Sequence, residues 1–315
     1  MNHPTDSARR ARELNRIRRL GYRLFPGDAF SYILHMRPAE WPIMAAHTAL
    51  GYFLAVGFHA SELAATWPDA LFGLVIWVIF LNGGTLAINT AYDRDTGDIG
   101  YLVAPPDPPR RLAAFSIALM AAGQALAFLL PPGFTVAYAI CFVLSLLYSV
   151  PPIRLKAVAG ADWIINMWGF GTLTPFAGWA TTGQPLENWA ALVFLAFCPL
   201  FAALYPLTQL YQLEVDRERG DRTLALMLGM RRSLQVAIFS VILAFAGLAA
   251  GAILAPANRL WPLLILACAA WLAVLGPWYA RRDSMSPEQH QRGMYLALHA
   301  WAVTDIAVLL CFAFR

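Results

Sequence analysis

Two clusters of carboxylates stand at the ends of long apolar runs in this 315-residue chain. One reads Asn89-Thr90-Ala91-Tyr92-Asp93-Arg94-Asp95-Thr96-Gly97-Asp98 and the other Gln212-Leu213-Glu214-Val215-Asp216-Arg217-Glu218-Arg219-Gly220-Asp221. Carboxylates beside a membrane span are costly unless something pairs with them, which makes them functional candidates. Asp, Glu and Asn offer hard oxygen ligands, the set that Mg²⁺ and similar cations take. Two such clusters brought together would hold cations against the diphosphate of a lipid substrate.

The elements that must position them are apolar helices. The chain is 59% hydrophobic and 13% charged, against about 25% charged residues in a soluble domain. Its mean hydropathy is +0.55. Nine apolar runs, 41–59, 70–92, 112–130, 133–150, 163–181, 189–211, 233–255, 260–280 and 293–314, are each close to the roughly 20 residues that span a bilayer. They predict an all-α integral membrane bundle of nine transmembrane helices over 39–315, preceded by a basic arm over 1–38. With the N-terminus placed in the cytoplasm, 21 of the 23 Lys and Arg residues fall on the cytoplasmic side; Arg259 and Arg315 alone fall opposite. This bias predicts a plasma (inner) membrane protein with both acidic stretches facing the cytoplasm. The first 38 residues have charges where a secretory signal would be apolar. In the arm, Leu14, Ile17, Leu20 and Leu24 share one helical face and arginines cover the others, which fits an interfacial basic helix and equally a topogenic tag. Cys141, Cys198, Cys268 and Cys311 lie far apart inside the runs, as small core residues without metal-site spacing. No basic run is interleaved with aromatics as a nucleic-acid platform needs.

Helical spacing sharpens each cluster. Asn89 and Asp93 are four apart and share a face. Gln209, Gln212 and Asp216 follow i, i+3, i+7. Gly97 and Gly220 let the chain leave the helix. The first cluster ends the second run and the second ends the sixth, a coarse repeat of two four-helix units with one helix added. Between them, Tyr148-Ser149-Val150-Pro151-Pro152-Ile153-Arg154-Leu155-Lys156 stops a helix at Pro-Pro. Arg154 and Lys156, the only lysine, then sit at the depth of the acids, suited to phosphate oxygens. Asp162 and Asn166 (i, i+4), His47, and Asp305 with His299 are further intramembrane polar groups, read as interhelical hydrogen-bonding residues.

Three motifs in this order resemble the UbiA superfamily of intramembrane prenyltransferases: Asn89-x-x-x-Asp93 with its following acids, the 148–156 segment, and Asp216-Arg217-x-x-Gly220-x-Arg222-Thr223-Leu224. Arg37-Pro38-x-x-Trp41-Pro42 is similar too, and the resemblance runs from about residue 35 onward. It implies a bundle with a cytoplasmic-side cavity, where Mg²⁺ ions bridge both acidic motifs and an isoprenoid diphosphate. By position, Asn89 and Asp93 belong to the first metal motif; its usual third acid falls on Gly97, flanked by Asp95 and Asp98, and Asp98 is taken as the ligand in its place. The second is usually Asp-x-x-x-Asp. Here its last Asp is Asp216, its first falls on Gln212, and Glu214 offers a replacement carboxylate, as in the chlorophyll-synthase branch. The usual Arg-Pro-containing loop is replaced by the residues from Tyr101 to Arg111, which leaves the acceptor class open.

The implied reaction is electrophilic alkylation. Metal ions and Arg37, Arg154 and Lys156 take up charge on the departing diphosphate, with Asp93, Asp216, Tyr148 and Lys156 as the catalytic set. Trp168, Tyr148 and Tyr205 are candidates to shelter an allylic cation. The partners would be a polyprenyl diphosphate donor, a lipophilic acceptor (aromatic, ring-bearing or carotenoid) and the bilayer, with no nucleic acid. A terpene cyclase on the same scaffold would ionise the same donor and use its own double bonds as nucleophile. A small transporter is the distant rival, but its polar site would lie near the midplane on broken helices.

Overall fold

The computed structural model describes residues 16, 18–25, 27–93, 102, 105–213, 217, 223–256 and 260–314, without the side chain of Gln212. Among these residues the chain is all-helical. Helix α1 (Ala29–His35) precedes α2 (Trp41–Val56), α3 (Ala60–Asp93), α4 (Leu112–Ala127) and α5 (Pro132–Ser149). Then come α6 (161–180), α7 (Asn188–Leu207), α8 (Leu224–Leu254), α9 (Pro262–Arg281) and α10 (Pro287–Ala313). Pro42, Pro132, Pro262 and Pro287 open their helices, where a missing N–H costs nothing. Ser286 and Gln289 close a capping box on α10.

Each apolar run is helical over most of its length, and among the described residues six helices (α3, α5, α7, α8, α9 and α10) are long and apolar enough to cross a membrane. The other three fall short for visible reasons. Helices α2 and α4 have 16 residues each, and α6 carries Asp162, Asn166, Thr172 and Thr174. Several helices begin before their runs. Helix α3 starts at Ala60 and α10 at Pro287, because backbone hydrogen bonding continues into polar turns that hydropathy does not register; α8 starts at Leu224 with a short first segment that a kink at Gly229, at φ 71°, separates from the rest. Helix α7, by contrast, ends at Leu207 and gives way to a 3₁₀ turn at Leu210–Gln212. Gln209 therefore lies past the end of α7, and the rest of the expected i, i+3, i+7 face, the Gln212 side chain and Asp216, lies outside the described residues. The Gln209 amide oxygen instead accepts the Ala225 N–H at 3.1 Å, tying this turn to the start of α8.

The buried apolar residues form two main clusters. The larger joins α2 with α7–α10 around Trp271, Trp278, Phe197 and Phe312. The second joins α3–α5 with one side of α6 around Trp77, Phe134 and Tyr138. Helices α2 and α6 cross with their backbones touching. A Cβ on Gly51 would overlap the Pro175 carbonyl, and one on Gly178 the Thr48 carbonyl. Small residues at a crossing are how helices approach closely where lipid supplies no hydrophobic drive. Both α3 and α6 contain a π-helical stretch, Ile76–Asn82 and Met167–Leu173. The two helices meet here: Trp77, inside the first stretch, donates from Nε1 to the Oγ1 of Thr174, just past the second, at 3.4 Å. π turns re-aim the side chains that follow and recur at functional sites.

The arm is not detached over its last turns. His35 is fully buried and Met36 packs with Ala87 and Leu112. Tyr22 reaches back to Ser31 at 2.8 Å, while Leu20 and Leu24 remain exposed.

Candidate active site

The last turn of α3 gathers the cations. A helix C-terminus carries partial negative charge, and Asn89 and Asp93 add an amide oxygen and a carboxylate to it, one turn apart. Lys156 Nζ donates to Asn89 Oδ1 at 2.7 Å and pairs with Asp93 Oδ1. Arg154 Nη2 reaches the same Asp93 oxygen at 3.1 Å. One ammonium touching both oxygens is a direct sign that Asn89 and Asp93 converge on a single cation position.

The connection carrying these two side chains is built for the purpose. Helix α5 stops at Ser149, before Pro151 and Pro152, and one 3₁₀ turn follows at Leu155–Ala157. Arg154 sits between them in the left-handed region, at φ 37°. Arg37 takes the same conformation, at φ 51°, just ahead of the Pro38–Glu40 turn. These two arginines are the only non-glycine residues with positive φ among those described. Such backbone costs of order 1 kcal/mol or more and persists where its surroundings impose it. Arg37 is 9% exposed, donates to Thr90 Oγ1 at 3.4 Å and pairs with Glu40 at 3.6 Å. Burial pushes the Lys156 ammonium down to about 8, with the Arg37 charge adding to the effect; the contact with Asp93 works against that shift.

Beside this cluster is a polar chain. Tyr148, in the last turn of α5, lies within electrostatic reach of Arg37. Its hydroxyl is 3.5 Å from that of Tyr205 on α7. Tyr205 donates to Asp162 Oδ2 at 3.0 Å. From Tyr205 an aromatic row continues along the interior: Phe201, then Trp301 and Phe170, then Phe197 and His47, with successive ring centroids between 4.7 and 6.4 Å. Trp168, a further candidate for such a wall, is 41% exposed. His47 pairs with Asp305 at 3.1 Å and meets the Gly171 carbonyl at 3.3 Å. The partner of Asp305 is therefore His47 on α2, an interhelical contact.

A model of the UbiA prenyltransferase family matches residues 45–301. The chain belongs to this family. It is thus a prenyltransferase by kinship as well as by motif. A relative, digeranylgeranylglyceryl phosphate synthase of Natronomonas pharaonis, is 28% identical over 216 residues, covering 66% of this chain and 73% of that one. Among solved structures, a UbiA homologue from Archaeoglobus fulgidus bound to GPP and Mg²⁺ superposes with a TM-score of 0.67 at 21% identity, covering 89% of this chain and 99% of that one. A digeranylgeranylglyceryl phosphate synthase structure gives a TM-score of 0.68 at 16% identity, covering 90% and 98%. These likenesses carry the UbiA fold over nearly the whole chain.

Within that fold, Asn89, Asp93, Arg154 and Lys156 come together, with Arg37 one residue along α3 at Thr90 and Tyr148 adjoining. Asp98, Glu214 and Asp216 lie outside the described residues, as does the Gln212 side chain. Sequence reasoning missed three things. Thr90 is the seat of Arg37. Asp162 is joined to Tyr205. The interior aromatics are Phe201, Phe170 and Trp301. Each is a contact between residues far apart in sequence, and none has a local pattern that would announce it.

Proposed function

We propose that this UbiA-family chain transfers a prenyl group from an isoprenoid diphosphate to a separate lipophilic acceptor, releasing diphosphate. The observation that carries this reading is the convergence of Asn89 and Asp93 on one cation position, with Arg154, Lys156 and Arg37 beside it. That is the donor set for a hard cation next to the donor set for phosphate oxygens. Asn89 and Asp93 fit Mg²⁺, since both offer oxygen and already meet at one ammonium. Asp98, Asp216, and Glu214 or Gln212, would complete the metal ligands by motif. Mg²⁺, when bound, neutralises charge that builds on diphosphate as the allylic C–O bond breaks.

The chain's own residues do the rest. Arg154 presents a planar fork to phosphate oxygens and Lys156 a point charge. Arg37, held by Thr90 and Glu40, adds a third cation. Tyr148 and the row behind it offer aromatic faces to the allylic cation, worth about 2 kcal/mol when desolvated. A lipid-sealed bundle keeps out water that would quench this cation. Nine helices crossing the bilayer, an N-terminus in the cytoplasm and a site opening on the cytoplasmic face of the plasma membrane complete the reading. The Natronomonas relative is named for attaching geranylgeranyl to a glyceryl phosphate lipid, which supports a long-chain donor. The acceptor here is proposed only as a lipophilic, ring-bearing or glycerol-based lipid.

The test is product analysis after purified protein, Mg²⁺ and geranylgeranyl diphosphate are mixed with a membrane lipid extract. A prenylated lipid and free diphosphate are expected, both abolished by EDTA. Asp93→Ala should lower turnover by at least about 100-fold, as loss of a group stabilising transition-state charge does. Full activity in EDTA would sink the metal reading. A cyclic hydrocarbon or alcohol made without added lipid would replace transfer by cyclisation.

A further inference from the structure

Asp162 is a buried carboxylate that the reading above leaves unused. It is 2% exposed, and a buried charge needs compensation. Three features supply it. Asp162 stands in the first turn of α6, where the helix favours an anion. Its Oδ1 accepts the Gly160 N–H at 2.9 Å, and its Oδ2 accepts the Tyr205 hydroxyl at 3.0 Å. An ionised carboxylate only accepts. The single proton of Tyr205 is therefore committed to Asp162, and the Tyr205 oxygen has only lone pairs left to offer. The neighbouring hydroxyl is that of Tyr148 at 3.5 Å, a long contact whose sense is nonetheless fixed: Tyr148 donates. Asn166, one turn along α6, gives one amide N–H to the Asp162 carbonyl at 2.8 Å and adjoins the Tyr148 oxygen with its amide. Tyr148 thus gives its proton toward Tyr205, with the Asn166 amide beside its oxygen.

We propose that Asp162 is a positioning residue which, through Tyr205, turns the Tyr148 hydroxyl proton away from the reacting group, so that Tyr148 presents an electron-rich oxygen and ring to the allylic cation. The inference rests on the proposed prenyl transfer and adds a division of labour to it. Arg37, Arg154 and Lys156 serve the anionic half of the breaking C–O bond; Tyr148, with its proton withdrawn, serves the cationic half. A Tyr148 proton aimed into the site would work against the positive carbon. A purely structural role for Asp162, tying α6 to α7, predicts different behaviour in mutants.

The experiment measures diphosphate release from geranylgeranyl diphosphate with Mg²⁺ in membranes holding the wild type, Asp162→Asn, Tyr205→Phe, Tyr148→Phe, or each of the first two combined with Tyr148→Phe. Asp162→Asn and Tyr205→Phe should each lower kcat about tenfold, on the order of one desolvated cation interaction, and leave the KM for the donor within about twofold. Both effects should disappear in the Tyr148→Phe background, because they act through that hydroxyl. Geranylgeraniol, formed when water takes the cation and loses a proton, should rise relative to transferred product in both single variants. Equal losses with and without the Tyr148 hydroxyl, or a raised KM at unchanged kcat, would overturn the inference. If Asp162→Asn fails to fold, Tyr205→Phe, which removes one oxygen, decides alone. Wild-type turnover with unaffected variants refutes only this inference; a wild type that releases no diphosphate refutes the prenyl-transfer reading along with it.

Discussion

Arg37 and Arg154 spend backbone strain to bring guanidinium groups to one helix end, and this separates two quantities that are usually entangled. Arg154 is tied to the fold mainly through its backbone turn, since its side chain is 41% exposed and, among the described residues, pairs with Asp93. Glycine accepts a φ of 37° without penalty. Arg154→Gly should therefore leave thermal stability unchanged or raise it by about 1 kcal/mol, while the KM for the prenyl diphosphate rises about tenfold from loss of a charge-assisted fork. Differential scanning fluorimetry in detergent and steady-state kinetics would read the two effects separately; a large loss of stability would mean that the guanidinium holds the fold. The strain itself could not be read from the sequence, because Ile153-Arg154-Leu155 contains no residue that favours the left-handed region. The charges could. Asn89 and Asp93 at i, i+4, and Arg154 and Lys156 after Pro-Pro, follow from spacing and chemistry. Asp162 could be marked as an oddity at the start of an apolar run, yet its link to Tyr205, 43 residues away, depends on how α6 meets α7.

At the scale of elements, the hydropathy runs located the helices well and their ends poorly. Apolar length reports on the bilayer core, whereas helix ends follow caps, prolines and turns, which is why α8 and α10 start early and α7 stops early. The α2–α6 crossing was also hidden, since Gly51 and Gly178 look like any glycines in an apolar run. Gly178→Leu should destabilise the protein by at least about 1–3 kcal/mol, the usual cost of overpacking, with Gly169→Leu, where open space surrounds the position, as the tolerant control. Helix α1 makes a second prediction. Burial pushes the His35 imidazole below its usual 6.5, with the Arg37 charge adding and the backbone of Asp107 and Pro106 opposing. The unfolded chain then holds the proton more readily than the folded one, so stability present above 6.5 is lost as the pH falls through that value toward the lowered pKa. Melting temperature should drop between about pH 7.5 and about pH 5.5, and His35→Gln should flatten that dependence. An unchanged slope would assign the acid sensitivity to other groups.

For the molecule as a whole, charge placement and helix architecture make one joint demand. The segment after α5, carrying Arg154 and Lys156, meets the C-terminal end of α3. Helices α3 and α5 meet through their C-terminal ends, so both must run in the same direction through the bilayer, with those ends on one side. If 21 of 23 basic residues mark the cytoplasm, that side also holds Arg37, Arg231 and the turn at Arg282–Ser284. The turn before α7 must then lie opposite. Leu186 and Ser284 are both exposed, which makes them suitable reporters for single cysteines. The native cysteines provide a low background, as Cys141, Cys198 and Cys311 are buried and Cys268 is partly so. With a membrane-impermeant maleimide added to intact cells, Leu186→Cys should label and Ser284→Cys should not. Ser284→Cys should label once the membrane is opened. Labelling of Ser284→Cys alone in intact cells would invert the orientation and put the cation cluster on the outer face, where soluble prenyl diphosphates would not reach it from the cytoplasm. Labelling of both in intact cells would break the alternation of helices between the two sites, and with it the nine-span reading of the chain.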